Sequence, residues 1–498
     1  MLFNHLIFAL RLLRRDKFHS ILNIIGLATG LACGILILLY LQNELTYDRH
    51  HEKAHRIYRA AVKYTYSGQT TLWASSSPAL GRRLKDEFPE IEDFVRIVPS
   101  PKILFKSGET IFYENHIFMA DPSVFKIFTH RFIYGEPDNC LTEPLSIVLT
   151  ETLAHKYFGN RNLIDKVIQV EGDDLKVTGV IEDLPPNSHL PVNAFISFST
   201  LNALYPDQNF ADWSLGDFLG YTYFLVSETF GLEKFMEKVF GFIQKNHPPL
   251  PESHDVDFEP IAQKLTDIHF GPHMRFDYPI GNKAYIYAFF SIGIFILVLA
   301  CINYMNMATA RTAIRTKEMG IKKVLGSERW QLSIQLLMES FLASFIALIM
   351  AFGLVELITA LPPIKYLLNV DMRFHLLNNH LLVFGTLGLF IFVGLLSGIY
   401  PAFYLSSMLP VKSLSDSYQF GRAGIIVRRS LVTFQFMISI AVIIVTLFMS
   451  DQIEFLRNKN LGFKKENVVS IDIRDDTVKS MIPALLDELR SHPDIISV

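Results

Sequence analysis

His51-Glu52-Lys53-Ala54-His55 has the spacing H-E-x-x-H. On a helix, that spacing puts two imidazoles on one face to bind zinc, while the carboxylate between them polarises a water. The chemistry also needs a third ligand and a dry helix. Here Lys53 takes an inner position, and Arg49 and Arg56 flank the motif. Those charges favour a solvated helix just outside a hydrophobic run, so metalloprotease chemistry is the remote alternative and no metal is expected. A second set of residues is cationic. Ala310–Ser327 reads A-R-T-A-I-R-T-K-E-M-G-I-K-K-V-L-G-S. It offers Arg311, Arg315, Lys317, Glu318, Lys322 and Lys323 to a partner. Gly320 and Gly326 are placed to set turns, and Ile314, Ile321, Val324 and Leu325 are available for one apolar face. Such a segment lies at a membrane surface and touches something there. Glu339 and Glu356 fall in an apolar run, where ionisable groups suggest an ion path. Both sit near the ends of the run without a paired Lys or Arg in the spans, which makes them interface residues instead. The sequence holds no G-x-x-x-x-G-K-[ST] and no G-x-S-x-G, so no catalytic residue is expected.

The elements that must position these residues are membrane helices. Half of the 498 residues are apolar and mean hydropathy is +0.27. Net charge is −3, which gives no electrostatic case for nucleic acid. The three cysteines, Cys33, Cys140 and Cys301, form neither a disulfide framework nor a zinc spacing. Five runs reach the roughly 20 residues that cross a hydrocarbon core: 21–41, 284–307, 334–361, 381–405 and 431–449. The first follows Arg11, Arg14, Arg15 and Lys17 as in a signal peptide, but it continues past Cys33 and outruns a typical apolar signal core, so it is read as a retained anchor. Gly26, Gly30 and Gly34 in that run, and Gly394 and Gly398 in the fourth, leave space for close helix packing.

Basic residues in short loops set the orientation. They cluster in 308–333 and 406–430, which places those loops and residues 1–20 in the cytoplasm. Residues 42–283 then lie outside, as an α+β domain of interspersed helices and strands. The sequence predicts helices at 79–88, 151–158 and 232–244, and strands at 94–98, 103–105, 146–149, 167–170, 175–181 and 223–226. Beyond the fifth run, Asn467–Ile473 reads as a strand and Met481–Arg490 as an amphipathic helix. Ala484–Val498 parallels Ala79–Val95: a helix, a Pro-acid-Ile turn, then a strand start. The parallel suggests an internal repeat, with 451–498 as the truncated start of a second outer domain.

Several stretches carry a family likeness. Arg311–Ser327 resembles the cytoplasmic segment of FtsX-like permeases in the MacB/LolC-type ABC transporter group. Ala9–Gly34 is similar to the N-terminal anchor of such permeases. Tyr47-Asp48-Arg49-His50-His51, Arg56-Ile57-Tyr58-Arg59 and Val177–His189 resemble parts of the MacB-like periplasmic core. Gly398–Ser406 resembles the end of the last FtsX helix. The resemblance implies an inner-membrane permease with an anchor helix, a periplasmic domain and three further helices. It works with a separate cytoplasmic ABC ATPase that binds ATP and Mg. Arg311, Arg315, Lys317, Glu318, Gly320, Lys322, Lys323 and Gly326 would form the ATPase-coupling segment. In double-length relatives the unit occurs twice, so a second permease unit, in the same chain or a dimer, is an expected partner. A periplasmic adaptor and an outer-membrane channel are further candidate partners, with export, efflux or lipoprotein handling as the task. The alternative within the likeness is a regulator of an envelope hydrolase or signalling partner.

Overall fold

A computed structural model describes residues 11, 17–159, 165–204, 220–228, 230–246, 256–310, 319–362, 380–407, 422–459, 468–469, 473, 479–495 and 497. Four long helices build a bundle in the first compact unit: α1 (Lys17–Leu45), α7 (Lys283–Ala310), α8 (Arg329–Thr359) and α9 (His380–Ser407). Each is long and apolar enough to cross a membrane. α1 packs against both α7 and α8, and α9 packs on α8 and α7. Leu27, Leu31, Ile35, Leu297, Ala347, Ala351, Leu382 and Val393 form their shared core. Pro401 stands inside α9 and removes one backbone donor there.

Residues between α1 and α7 form the sheet domain. Its strands are β1 (Ile57–Tyr66), β2 (Gln69–Trp73), β3 (Ile91–Pro99), β4 (Ile103–Ser107), β5 (Thr110–Glu114), β6 (Ile117–Ala120), β7 (Phe132–Tyr134), β8 (Ser146–Thr150), β9 (Val167–Val170), β10 (Asp173–Ile181), β11 (Ala194–Ser197), β12 (Tyr221–Val226) and β13 (Val256–Lys264). The helices are α2 (Ala79–Glu87), α3 (Val124–Ile127), α4 (Glu151–Phe158), α5 (Phe198–Leu204) and α6 (Leu232–Asn246). The strands join one sheet in the order β13-β1-β12-β3-β6-β11-β8-β10-β9-β4-β5, with β2 on β1 and β7 on β10. β8 pairs in parallel with β10, and β6 with β11; the other pairs are antiparallel. A parallel pair needs a crossover, and α4 lies in the one from β8 to β10.

β8, β11 and β12 are buried along their whole length, as expected of apolar runs covered on both faces. α2 and α6 cover Ala60, Phe224 and Val226 on one region of the sheet. α4 covers Phe105, Ile147, Leu149 and Ile168 on another. The largest core gathers Ile57, Val95, Ile97, Phe118, Phe195 and Tyr223. β13 contains Pro260 and holds the sheet edge, where a missing donor does least harm.

The second compact unit holds α10 (Arg422–Asn458) and α11 (Ile482–Ser491). α10 is a fifth helix apolar and long enough to span. The strand expected at Asn467–Ile473 falls largely outside the described residues.

Candidate functional site at the two ends of the membrane helices

The first site is the hairpin between α7 and α8. Arg311, Arg315, Lys317 and Glu318, together with Ile314, lie outside the described residues. Residues 319–324 are helical. Ser327 N–H donates to the Lys322 carbonyl and Gly326 N–H to the Lys323 carbonyl, both at 3.0 Å. This is a Schellman ending, and Gly326 takes its left-handed position with φ +96°. Gly320, expected at a turn, is buried inside the helical segment instead. Glu328 then caps α8 reciprocally with Gln331.

The two lysines of this hairpin turn inward. Lys322 Nζ donates to Gln335 Oε1 of α8 at 3.0 Å, and Gln335 Nε2 lies 3.4 Å from Glu339 Oε1. Lys323 Nζ donates to the Ser406 carbonyl of α9 at 2.5 Å. Burial, then the nearby Arg329 charge, holds the Lys323 pKa below its usual value. Met319 packs with Leu332, Leu336 and Ala402 beneath them. The apolar residues point away: Ile321, Val324 and Leu325 are 52%, 65% and 80% exposed. Glu339, read from sequence as a water-facing interface residue, is buried in the bundle beside Gln335, while Glu356 is exposed. One α8 face is polar there because the hairpin lysine needs an acceptor.

The glycine rows face helices. A Cβ on Gly30 would sit 2.6 Å from Ala300 Cβ of α7, and one on Gly34 3.3 Å from Leu297. Gly26 faces Asn303 of the same helix. Gly394 and Gly398 lie against Phe341, Leu337 and Ser340 of α8. Backbones approach closely at both seams, as small residues permit in lipid.

The second site is the joint between the bundle and the sheet domain. Asp48 follows α1 with φ +57° and is fully buried. Its N–H donates to the Asn187 carbonyl at 2.9 Å, and Asn187 Nδ2 donates to the Thr46 carbonyl and hydroxyl at 3.1 and 3.0 Å. His189 N–H donates to Asp48 Oδ1 at 3.0 Å. The His189 ring bridges Asp48 Oδ1 at 2.9 Å and the Tyr223 hydroxyl at 2.7 Å. Burial holds the Tyr223 pKa well above its ordinary value. A second clasp forms at His269. Its Nε2 lies 2.9 Å from Glu44 Oε2, its ring stacks on Tyr47 at 3.5 Å, and its carbonyl accepts from Gly281 N–H at 2.7 Å. A Cβ on Gly281 would fall 2.4 Å from His269 Nε2. So one histidine holds the end of α1 and the approach to α7. A third tie is Arg59, fully buried in β1. It forms a bidentate pair with Asp277, both contacts 2.7 Å, and a 2.7 Å bond to Gln263. Asp277 lies in the segment leading to α7.

The H-E-x-x-H stretch does not build a zinc site. Residues 51–53 form turns and Ala54–Arg56 a single 3-10 turn, so no helix places the two histidines together. His51 is buried and accepts from Thr129 N–H at 3.1 Å, while His55 and Glu52 are exposed. Burial, then the charges of neighbouring histidines, pushes the His51 pKa down to about 2. Among the described residues, no group of three or more His, Cys, Asp or Glu is placed to hold a metal.

Sequence reading did not find Glu44, His269 or Asp277, and it placed Arg59 only inside a family-like stretch with no partner. Their partners stand more than 200 residues away along the chain, so no local spacing marks them. Asp48 and Asn187–His189 were visible only as two unconnected stretches, which the fold brings together.

Residues 20–239 match the model of the MacB-like periplasmic core domain. Residues 290–410 match that of the FtsX-like permease C-terminal domain. The chain carries a MacB-like periplasmic core domain and an FtsX-like permease domain. Among solved structures, it resembles a domain of a putative permease protein from Porphyromonas gingivalis, with 16% identity and TM-score 0.40 over 47% of this chain and 94% of that one. The periplasmic region of MacB from Actinobacillus actinomycetemcomitans is similar at 15% identity and TM-score 0.29, over 42% and 89% of the two chains. The extracellular domain of the noncanonic ABC-type transporter YknZ from Gram-positive bacteria follows, with 13% identity and TM-score 0.29 over 40% and 99%. No curated protein matches. The permease thus pairs a sheet domain of the periplasmic-core type with membrane-spanning helices. Its two sites lie at opposite ends of those helices, one in the α7–α8 hairpin and one where α1 and α7 meet the sheet domain.

Proposed function

We propose that this permease carries the motion of a separate cytoplasmic ABC ATPase to its sheet domain, for export or lipoprotein handling on the far side of the inner membrane. The ATPase docks on the 319–328 hairpin, with the N-terminus on the same side. The observation that carries this reading is the division of labour in the hairpin. Ile321, Val324 and Leu325 are left outward, while Lys322 and Lys323 are bonded to α8 and α9. A patch used for topology alone would need charge anywhere in the loop. It would not need two lysines fixed to two different helices. In this reading the apolar residues make the contact and the lysines pass displacement into the bundle. Arg311, Arg315, Lys317 and Glu318 add the polar part of the contact. α8 and α7 both pack on α1. The joint at Asp48, His189 and His269 then passes the displacement to the sheet domain.

The test uses the full chain reconstituted with its ATPase, identified by co-purification. Leu325→Asp is expected to lower ATPase co-purification about tenfold, as burying a charge at a contact centre does. Lys322→Met with Lys323→Met is expected to leave co-purification intact and to abolish stimulation of ATP hydrolysis by the permease. If both variants bind and stimulate as the native chain does, the coupling role is wrong.

A further inference from the structure

A cleft of about 420 Å³ opens at the joint. Its walls come from the end of α1 (Glu44, Leu45), the following Tyr47 and Arg49, the 263–272 segment, and Lys283 at the start of α7. The volume lies in the range of small-molecule sites. Its height relative to the bilayer follows from the helices. The apolar run of α1 ends at Leu41, and Glu44 is three residues further, about 5 Å along the axis. Lys283 directly precedes the apolar run of α7. The cleft therefore lies at headgroup depth, in the zone of about 5–7 Å that borders the hydrocarbon.

Its chemistry is mixed in sign. Arg49 and Lys283 are exposed and, among the described residues, have no ion-pair partner. Glu44 and Asp267 supply two carboxylates to the same cleft, and Glu44 is already fixed by His269. Tyr47 and Phe270 give aromatic surface. A purely anionic ligand would meet Glu44 and Asp267 as repulsion. A ligand with a phosphate and an ammonium a few bonds apart satisfies all four groups. Carboxylates suit an ammonium that still carries N–H donors. A quaternary ammonium would call for an aromatic cage instead.

We propose that this cleft binds the headgroup of an ethanolamine phospholipid from the leaflet on the sheet-domain side. Arg49 and Lys283 hold the phosphate, and Asp267 and Glu44 hold the ammonium. The cleft shares the joint with the proposed coupling path, but the lipid reading stands whether or not that path operates. A lipid seated here bridges α1, α7 and the sheet domain at the joint.

The test is native mass spectrometry of the full chain in detergent with equimolar palmitoyl-oleoyl phosphatidylethanolamine, phosphatidylglycerol and phosphatidylcholine. Retention of the ethanolamine lipid is expected to exceed each of the others roughly fivefold, the scale of a few exposed charge contacts. Arg49→Gln with Lys283→Gln is expected to remove most of that retention. Asp267→Asn is expected to keep lipid bound but to erase the preference over phosphatidylglycerol. Asp267 is exposed, so that variant remains informative if the double variant misfolds. Equal retention of the three lipids overturns the proposal, as does unchanged selectivity in Asp267→Asn. Soluble phosphoethanolamine that displaces the lipid at equal concentration overturns the lipid as the natural source.

Discussion

Arg59 and His51 show how much of this permease rests on single buried polar groups. Arg59 is 1% exposed at its side chain and Asp277 5%, so neither has water as a substitute partner. Removing one member of a buried pair costs more than the pair itself contributes, because the other charge stays behind. Asp277→Asn is expected to lower the stability of the sheet domain by about 3–5 kcal/mol. Arg59→Met in the same chain should recover part of that loss. Urea unfolding followed by tryptophan fluorescence checks both, since Trp73 packs on Phe276 beside Asp277. His51 predicts a pH response. Its folded pKa is depressed to about 2 from the ordinary 6.5, so the folded protein holds it neutral. The unfolded chain takes up the proton as pH falls through 6.5. Stability is therefore complete above that value and is lost as pH drops below it, by up to about 1.4 kcal/mol per pH unit for this group. A thermal midpoint that falls between pH 7.5 and 5, and falls less in His51→Gln, is the expected outcome.

At the scale of elements, helix seams and strand ladders were legible to different degrees. The five apolar runs and the sheet-domain helices at 79–87, 151–158 and 232–246 read directly, because periodicity and Pro or Gly stops are local signals. β1 did not. It carries a fully buried arginine in its third position, which no alternation of apolar and polar residues foretells. β13 was hidden by Pro260, which argues against a strand unless the strand lies at an edge. The joint could not be read at all, since its clasps depend on which distant segments the sheet brings together. The hairpin was legible as a basic segment, but the direction of its lysines was not. Charge in a sequence suggests solvent, and here two acceptors on α8 and α9 draw the lysines in. The α1–α7 seam makes a testable contrast. Gly30→Ala is expected to destabilise the bundle by about 1–3 kcal/mol, because the new methyl meets Ala300 Cβ. Gly388→Ala, where nothing lies within 4 Å, should be neutral or slightly stabilising. Thermal inactivation of the two variants in the same detergent measures the difference.

At the scale of the whole molecule, the coupling reading requires the joint to respond to nucleotide. Hydrogen exchange of the reconstituted complex is expected to change on ATP addition at residues 44–48, 187–189 and 269–281, while β8 and β11 stay protected. Uniform exchange with and without nucleotide would sink the idea. The attachment of the two helices has a further consequence. α1 leads into β1 and β13 leads into α7, and β1 and β13 are paired over nine residues from Tyr58–Lys264 to Tyr66–Val256. Both helices thus join one ladder at one end of the sheet. The remaining strands extend from it to β5, along a path of eleven strands. At about 4.8 Å per strand that path is at most about 48 Å long. The domain is then a lever with its fulcrum at the membrane. A 5° tilt at the ladder becomes up to about 4 Å of travel at β5, by that spacing. Travel gained this way is force surrendered. In the proposed coupling reading, such a lever suits a task that displaces a partner, rather than one that wrings a tightly held molecule out of a cavity.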